Sequence, residues 1–169
     1  VAVPANELRL AVVPPVPTGQ FHTFVSHVQR FAGDPCALLV GYLGEHGVRA
    51  WVDQNAEEIT TDEMLASIER SRTFLLFLSK NVFASKYVMM ELRHALSLRR
   101  PVMLVHESEM NREGYESIAV LRSQAPADVV HIFDTHESEP FQRRVHLREP
   151  MTRAIVERIV RGMSLSSSS

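Results

Sequence analysis

Short apolar runs alternate along the chain with segments whose apolar residues recur at helical spacing. The run at residues 73–78 has no polar face, which is typical of a strand buried on both sides of a sheet. Strands separated by helical segments and short connections predict a parallel sheet with helices on both faces. We predict five strands, at residues 21–26, 48–52, 73–78, 101–105 and 129–133.

Four helices are predicted between and after these strands. Leu38, Leu39, Tyr42 and Leu43 share one face of the first, and Gly47 follows it as a C-cap. Thr61 or Asp62 is the expected N-cap of the second. The first, third and fourth helices are expected over residues 36–46, 86–98 and 150–163.

The two ends of the chain differ in composition from the segment between them. Residues 1–20 hold four of the nine prolines, which indicates an extended linker. Residues 164–169 are serine-rich and are expected to be flexible. Residues 21–163 therefore form the one predicted domain.

Composition narrows the class of protein. Hydrophobic residues make up 45% of the chain, enough for a buried core. The net charge of -2 gives no field that would attract nucleic acid or an anionic membrane, so neither is expected as a partner. Cys36, the single cysteine, cannot form an internal disulfide, and a reducing, cytoplasmic location is expected.

Polar residues follow the predicted strands, and in a parallel sheet these positions meet at one edge where ligands bind. Ser26 and His27 follow the first strand, and Asp53 follows the second. The chain has no glycine-rich phosphate loop, no G-x-S-x-G elbow and no His/Cys cluster with zinc spacing. No metal is expected, because a pair such as His106 and Glu107 is more often hydrogen-bonded than metal-bound.

Five sequence blocks occur in an order and spacing typical of one family. They are residues 24–27 (Phe-Val-Ser-His), 47–53 (Gly-Val-Arg-Ala-Trp-Val-Asp), 68–79, which end in a hydrophobic run and Ser, 85–92 (Ser-Lys-Tyr-Val-Met-Met-Glu-Leu), and 101–105, which begin with Pro. Together they resemble the Toll/interleukin-1 receptor (TIR) domain family, and in particular NAD-cleaving members from microbial eukaryotes, plants and bacteria. The resemblance implies a flavodoxin-like, doubly wound parallel α/β sheet with strand order 2-1-3-4-5.

The resemblance also implies an activity and a site. Glu91 stands where NAD-cleaving TIR domains carry their catalytic glutamate, and Tyr87 stands in the place of the family's tryptophan. NAD(+) would be the substrate, with no other cofactor. Cleavage of its nicotinamide–ribose bond expels a neutral base, so one carboxylate that stabilises the oxocarbenium-like transition state suffices. Ser26, His27 and Asp53 are the expected substrate contacts, together with Tyr87.

Each of these residues also has a structural interpretation. Glu91 could instead lie on a solvent-exposed helix face and pair with a neighbouring basic residue. In this interpretation His27 would only line the crevice and form hydrogen bonds within the protein. Asp53 would cap the turn of the loop that follows the second strand. Trp51 is expected in the core, and the arginines at residues 143, 144 and 148 are expected to form a surface patch.

The family resemblance further implies self-association through the BB loop, at residues 53–61. Two departures from the family pattern affect this region and the site. The loop is short and lacks a glycine before the second helix, and Val28 and Gln29 replace a basic residue that many NAD-cleaving members carry. Three functions therefore stay open: an NAD(+) hydrolase or cyclase, a non-enzymatic TIR–TIR interaction module, and a nucleotide-sensing domain without turnover. Glu91 and Tyr87 favour the first, and the two departures favour the others.

Overall fold

The polypeptide builds a five-stranded sheet in which every pair of neighbouring strands is parallel. A computed structural model describes residues 11–53 and 59–166. The strand order is β2-β1-β3-β4-β5, which confirms the predicted topology. The strands are β1 (Phe21–Ser26), β2 (Ala50–Val52), β3 (Ser71–Leu78), β4 (Val102–Glu107) and β5 (Glu139–Phe141).

Helices cover both faces of the sheet. On one face α1 (Gln29–Glu45) and α6 (Val145–Ser166) pack on the sheet through one apolar cluster. On the other face a second cluster joins the sheet to α2 (Thr61–Glu69), α3 (Lys86–Ser97), α4 (Ile118–Gln124) and α5 (Ile132–Thr135).

The central strand β3 has the buried character that its sequence predicts. Leu75 and Phe77 are fully buried and face α1 and α6, and Leu76 is fully buried on the opposite side. Phe24 of β1 stacks on Phe74 of β3 and on Trp51 of β2, with ring centroids 5.5 and 4.6 Å apart. Trp51 therefore packs against the core, as expected.

The predicted fifth strand is wrong in its position. Residues 129–131 form a turn that leads into α5, residues 132 and 133 belong to α5, and the fifth strand begins six residues after residue 133. Val129 and Ile132 are both buried, and their spacing of three places them on one side of a helical turn. The true β5 contains Pro140, which is tolerated because β5 lies at the edge of the sheet.

The beginnings of α1 and α2 differ from the prediction. Thr60, rather than Thr61 or Asp62, caps α2 in a reciprocal capping box with Glu63. The first helix begins at Gln29, and Pro35 lies inside it. Leu38 is exposed, so the buried face of α1 does not include it. The C-cap of this helix is His46, and Gly47, the predicted stop signal, follows it with a φ of +80°.

Part of the proline-rich segment packs against the sheet. Val13 and Val16 contact the apolar cluster beneath α1 and α6. The buried His22 donates from Nε2 to the carbonyl of Pro14 at 2.7 Å, while its Nδ1 accepts the backbone N–H of Arg49 at 2.8 Å. The segment is therefore tied to the beginnings of β1 and β2. Among the helices of the described residues, none is long and apolar enough to cross a membrane.

Candidate functional site

A small pocket lies at the carboxyl edge of the sheet, between the ends of β1 and β2 and the first turns of α2 and α3. Its volume is about 120 Å³. This is the edge where open parallel α/β sheets bind ligands. The described residues that line it are Val25, His27, Val28, Gln29, Asp53, Ile59, Met64, Ser85, Tyr87 and Glu91.

Helix α3 places Glu91 in this pocket. The Ser85 hydroxyl accepts the backbone N–H of Val88 at 3.3 Å and fixes the start of the helix. Val88 and Leu92 are buried against the sheet, and Glu91 lies beside Leu92 on the side toward β1. The Glu91 side chain is consequently buried, with its residue only 7% exposed, rather than on a solvated helix face.

Ser26 supports Glu91 from the end of β1. Its hydroxyl donates a short hydrogen bond to Oε2 of Glu91, a residue 65 positions away in the sequence. Ser26 is 1% exposed and does not line the pocket. The Ser26 hydroxyl is thus used on Glu91 behind the pocket wall, and its contact with substrate stays a prediction.

The Glu91 carboxyl has an unusual acidity. Burial raises its pKa to about 8, and the Asp53 carboxylate adds to the rise, while the hydrogen bond from Ser26 opposes it. At pH 7 a carboxyl with this pKa is ionised in roughly one molecule in ten. Perturbed carboxyls of this kind cluster at functional sites.

His27 and Asp53 line the same pocket, so the structure brings them together with Glu91 as predicted. Burial lowers the pKa of His27, although Gln29, the Val25 carbonyl and Asp53 each oppose the shift. The His27 Nε2 lies 2.8 Å from Oε1 of Gln29. At pH 7 His27 is therefore mainly neutral, and it lines the pocket while contacting Gln29.

Gln29 also lines the pocket, although the sequence does not predict it as a site residue. Its one sequence signal is that it stands where many NAD-cleaving members have a basic residue. Its side chain folds back over Gly33, where a Cβ would come within 2.5 Å of the Gln29 amide nitrogen. The glycine thus makes room for the contact between Gln29 and His27.

Tyr87 lies one helical turn before Glu91, and its residue is 57% exposed. It lines the mouth of the pocket, where an aromatic ring can flank a planar ligand. Tyr87 and Glu91 thus present a ring and a carboxyl to the same opening.

The charges that face the pocket are unbalanced. Its described lining includes two carboxyl groups, Glu91 and Asp53, and no arginine or lysine. Its volume is also below the 300–1,000 Å³ typical of pockets for drug-sized ligands. The described part of this pocket is therefore small, and its lining carries carboxyl groups rather than basic side chains.

The His106 and Glu107 pair lies at the far end of the same edge and is used internally. Glu107 is buried, and both of its oxygens accept hydrogen bonds from Arg143 at 2.7 Å. Burial raises the pKa of Glu107, but Arg143 and the backbone N–H of Glu109 outweigh it and hold the pKa low. Nδ1 of His106 lies 2.8 Å from the Ser138 hydroxyl. Arg143 is thus a structural partner rather than part of a free surface patch.

No metal site appears among the described residues, where no group of three His, Cys, Asp or Glu side chains could hold an ion. Arg148, another member of the predicted patch, lies over the ring of Tyr42 at 5.0 Å and donates to its hydroxyl. Residues 54–58 of the predicted BB loop lie outside the described residues.

A larger cavity, of about 730 Å³, lies at the opposite edge, between α6 and the beginning of β4. Several of its charged groups are bonded within the domain. Arg158 donates to the carbonyl of Glu137 and contacts Glu139 at 3.3 Å, and Arg161 contacts Glu157 at 3.5 Å. None of the predicted site residues lines it.

Solved TIR domains share this fold at low sequence identity. The TIR domain of the Toll-related receptor TRR-2 from Hydra magnipapillata is 13% identical and superimposes with a TM-score of 0.54, covering 83% of this chain and 98% of that one. The TIR domains of the activated Roq1 resistosome, which recognises the pathogen effector XopQ, are 18% identical with a TM-score of 0.51, covering 89% and 86%. At these identities the likeness shows the fold alone.

A third structure, a TIR-STING receptor from C. gigas, is 15% identical with a TM-score of 0.59, covering 87% of this chain and 43% of the receptor. No curated protein sequence matches this chain. The sequence profile of the TIR domain family, in contrast, matches residues 24–145, which include all five of the blocks described above. The profile match and the strand order lead to one conclusion: the chain belongs to the TIR domain family.

Proposed function

We propose that this TIR domain cleaves the nicotinamide–ribose bond of NAD(+), as a hydrolase or a cyclase, in signalling or defence in the cytoplasm. The observation that carries the proposal is the buried Glu91 carboxyl, which lines a pocket at the carboxyl edge of the sheet. Asp53 faces the same space, and the described lining holds no cation. Such a pocket is suited to a cationic nicotinamide ring.

Cleavage of the nicotinamide–ribose bond requires one correctly placed carboxylate from the protein and no general acid. The C1′–N bond breaks with its electron pair moving onto the ring nitrogen, and neutral nicotinamide leaves without a proton. Positive charge then develops on the ribose, where the Glu91 carboxylate stabilises it. Water adds at C1′ and releases a proton to solvent, or a group on the same molecule adds and closes a cyclic product.

The pocket would hold only the reacting end of the substrate. Its volume of about 120 Å³ fits a single ring, with Tyr87 at the mouth to flank the ring or the ribose. The rest of the dinucleotide would extend outward, past Asp53 and Ile59. Self-association through residues 53–61 would let a second copy complete the binding surface.

Release of nicotinamide from NAD(+) by concentrated purified domain tests the proposal. Glu91→Ala and Glu91→Gln should each lower kcat by a factor on the order of 10²–10³, because the loss falls on the charged transition state. Glu113→Gln is the matched control, since Glu113 lies outside the pocket and its side chain is 71% exposed. A Glu91→Gln variant with full activity would contradict the assignment.

The second candidate is a non-enzymatic TIR–TIR interaction module, or a domain that senses a nucleotide without turning it over. The small volume enclosed by the described lining and the largely neutral Glu91 favour it, because binding without turnover needs neither a whole dinucleotide in this pocket nor an ionised Glu91. The similar structures include a resistosome, and one TIR-STING receptor is in complex with 2′,3′-cGAMP. If concentrated, assembled wild-type domain releases no nicotinamide, this candidate replaces the first.

A further inference from the structure

The surroundings of Glu91 differ sharply between its two protonation states. The titratable groups that face it are His27 at the end of β1, Asp53 after β2 and Tyr87 on its own helix, and α2 contributes the apolar Met64. Within the described residues its one hydrogen bond is from Ser26. A buried carboxylate is usually stabilised by two or three N–H donors or by a cation, and the described surroundings of Glu91 provide neither.

A neutral Glu91 meets none of these difficulties. The protonated carboxyl shares one hydrogen bond with Ser26, and it avoids the repulsion that an ionised Glu91 would meet from the Asp53 carboxylate. Burial raises the pKa of Glu91 to about 8, in agreement with this contact pattern. Without a ligand, the Glu91 carboxyl is therefore mostly protonated, and its proton lies where a bound cation would be stabilised.

We propose that the pocket exchanges this proton for a permanently cationic ring, so that a pyridinium ligand binds with release of one proton from Glu91. A neutral ring of the same shape gains no such exchange. The balance is simple: the Glu91 carboxyl and the cation give a carboxylate–cation pair in the pocket and one proton in solvent. The inference rests on the proposed function for its ligand class, but it requires no turnover.

Two probes of similar shape separate charge from shape, namely 1-methylnicotinamide, a cation, and nicotinamide, which is neutral. Calorimetric titrations at pH 7 in two buffers of different ionisation heat count the protons released. We expect close to one proton for the cation, since about nine tenths of Glu91 is protonated at that pH, and none for nicotinamide. The affinity for the cation should rise about tenfold per pH unit from pH 5 to pH 7 and level off above pH 8.

Glu91→Gln keeps the shape of the side chain and removes its proton equilibrium. It should bind the cation more weakly, with no proton release and no pH dependence, while Glu113→Gln should behave as the wild type. Circular dichroism of each variant checks that the fold is kept. Cation binding without proton release, equal binding of the two probes, or no cation binding at pH 9 would each overturn the inference.

Failure here is distinguishable from failure of the proposed activity. Proton release with the cation, but no nicotinamide from NAD(+), would keep the exchange and reject the hydrolase. Nicotinamide production from NAD(+), but no proton release when the cation binds, would keep the hydrolase and reject the exchange.

Discussion

Replacing Glu91 with glutamine should make the folded domain more stable, although it removes the proposed catalytic group. The folded state holds the Glu91 proton up to a pKa of about 8, whereas an ordinary glutamate has a pKa of 4.5. Between those values the unfolded chain releases a proton that the folded chain keeps, so the stability of the wild type falls as pH rises through this window. Glutamine does not titrate and keeps a hydrogen-bonding group beside Ser26, so the variant escapes that loss.

The magnitude follows from the same two values. One pKa unit corresponds to 1.36 kcal/mol, so a shift from 4.5 to about 8 sets a ceiling of roughly 5 kcal/mol above pH 8. At pH 7 the difference between the two proteins should be on the order of 3 kcal/mol. That is a large part of the roughly 5–15 kcal/mol that holds a domain of this kind together.

Urea unfolding followed by circular dichroism at pH 5 and pH 8 measures this difference. The two proteins should have similar unfolding free energies at pH 5, and the glutamine variant should be the more stable at pH 8. Glu113→Gln removes an exposed glutamate and should change the unfolding free energy by less than about 1 kcal/mol at both pH values. Parallel pH profiles for the wild type and Glu91→Gln would refute the reasoning, because they would mean that Glu91 is ionised in the resting fold.

Three further perturbations should have measurable effects. Arg143→Ala should lower the free energy of unfolding in urea by roughly 3–5 kcal/mol, because it leaves Glu107 buried and unpaired. The control Arg153→Ala breaks an exposed pair and should lower it by at most about 1 kcal/mol. Equal losses in the two variants would show that Glu107 is solvated or protonated. Phe77→Ala should cost roughly 3–5 kcal/mol, and a loss below about 1 would place it outside the core. Light scattering should detect self-association that alanine substitutions within residues 53–61 weaken; a monomer at every concentration, with and without NAD(+), would count against it.

The sequence by itself determined the class of fold and much of its order. The uninterrupted apolar run of β3 is compatible only with burial on both faces, and Gly47 marks a helix end because its φ of +80° suits glycine. The spacing of the five blocks then placed Glu91 and Tyr87 on one helix and Ser26, His27 and Asp53 at strand ends. These are local features, and local chemistry specifies them.

The tertiary structure decided what depends on residues far apart in the chain. Val129 and Ile132 fit a short strand or a helical turn equally well, and only their burial in the apolar cluster on one face of the sheet selects the turn. The true β5 is three residues long and contains a proline, so it carries almost no periodic signal.

The site depends on tertiary contacts even more strongly. The sequence could place Ser26 and Glu91 at the same edge of the sheet, but only the packing of α3 on β1 brings the serine hydroxyl into hydrogen-bonding contact with the carboxyl. Arg143 likewise changes from a surface charge to the partner of a buried Glu107 once β4 and β5 lie side by side. The acidity of Glu91 follows from burial and from its distance to Asp53, and both are properties of the assembled fold that no spacing along the chain encodes.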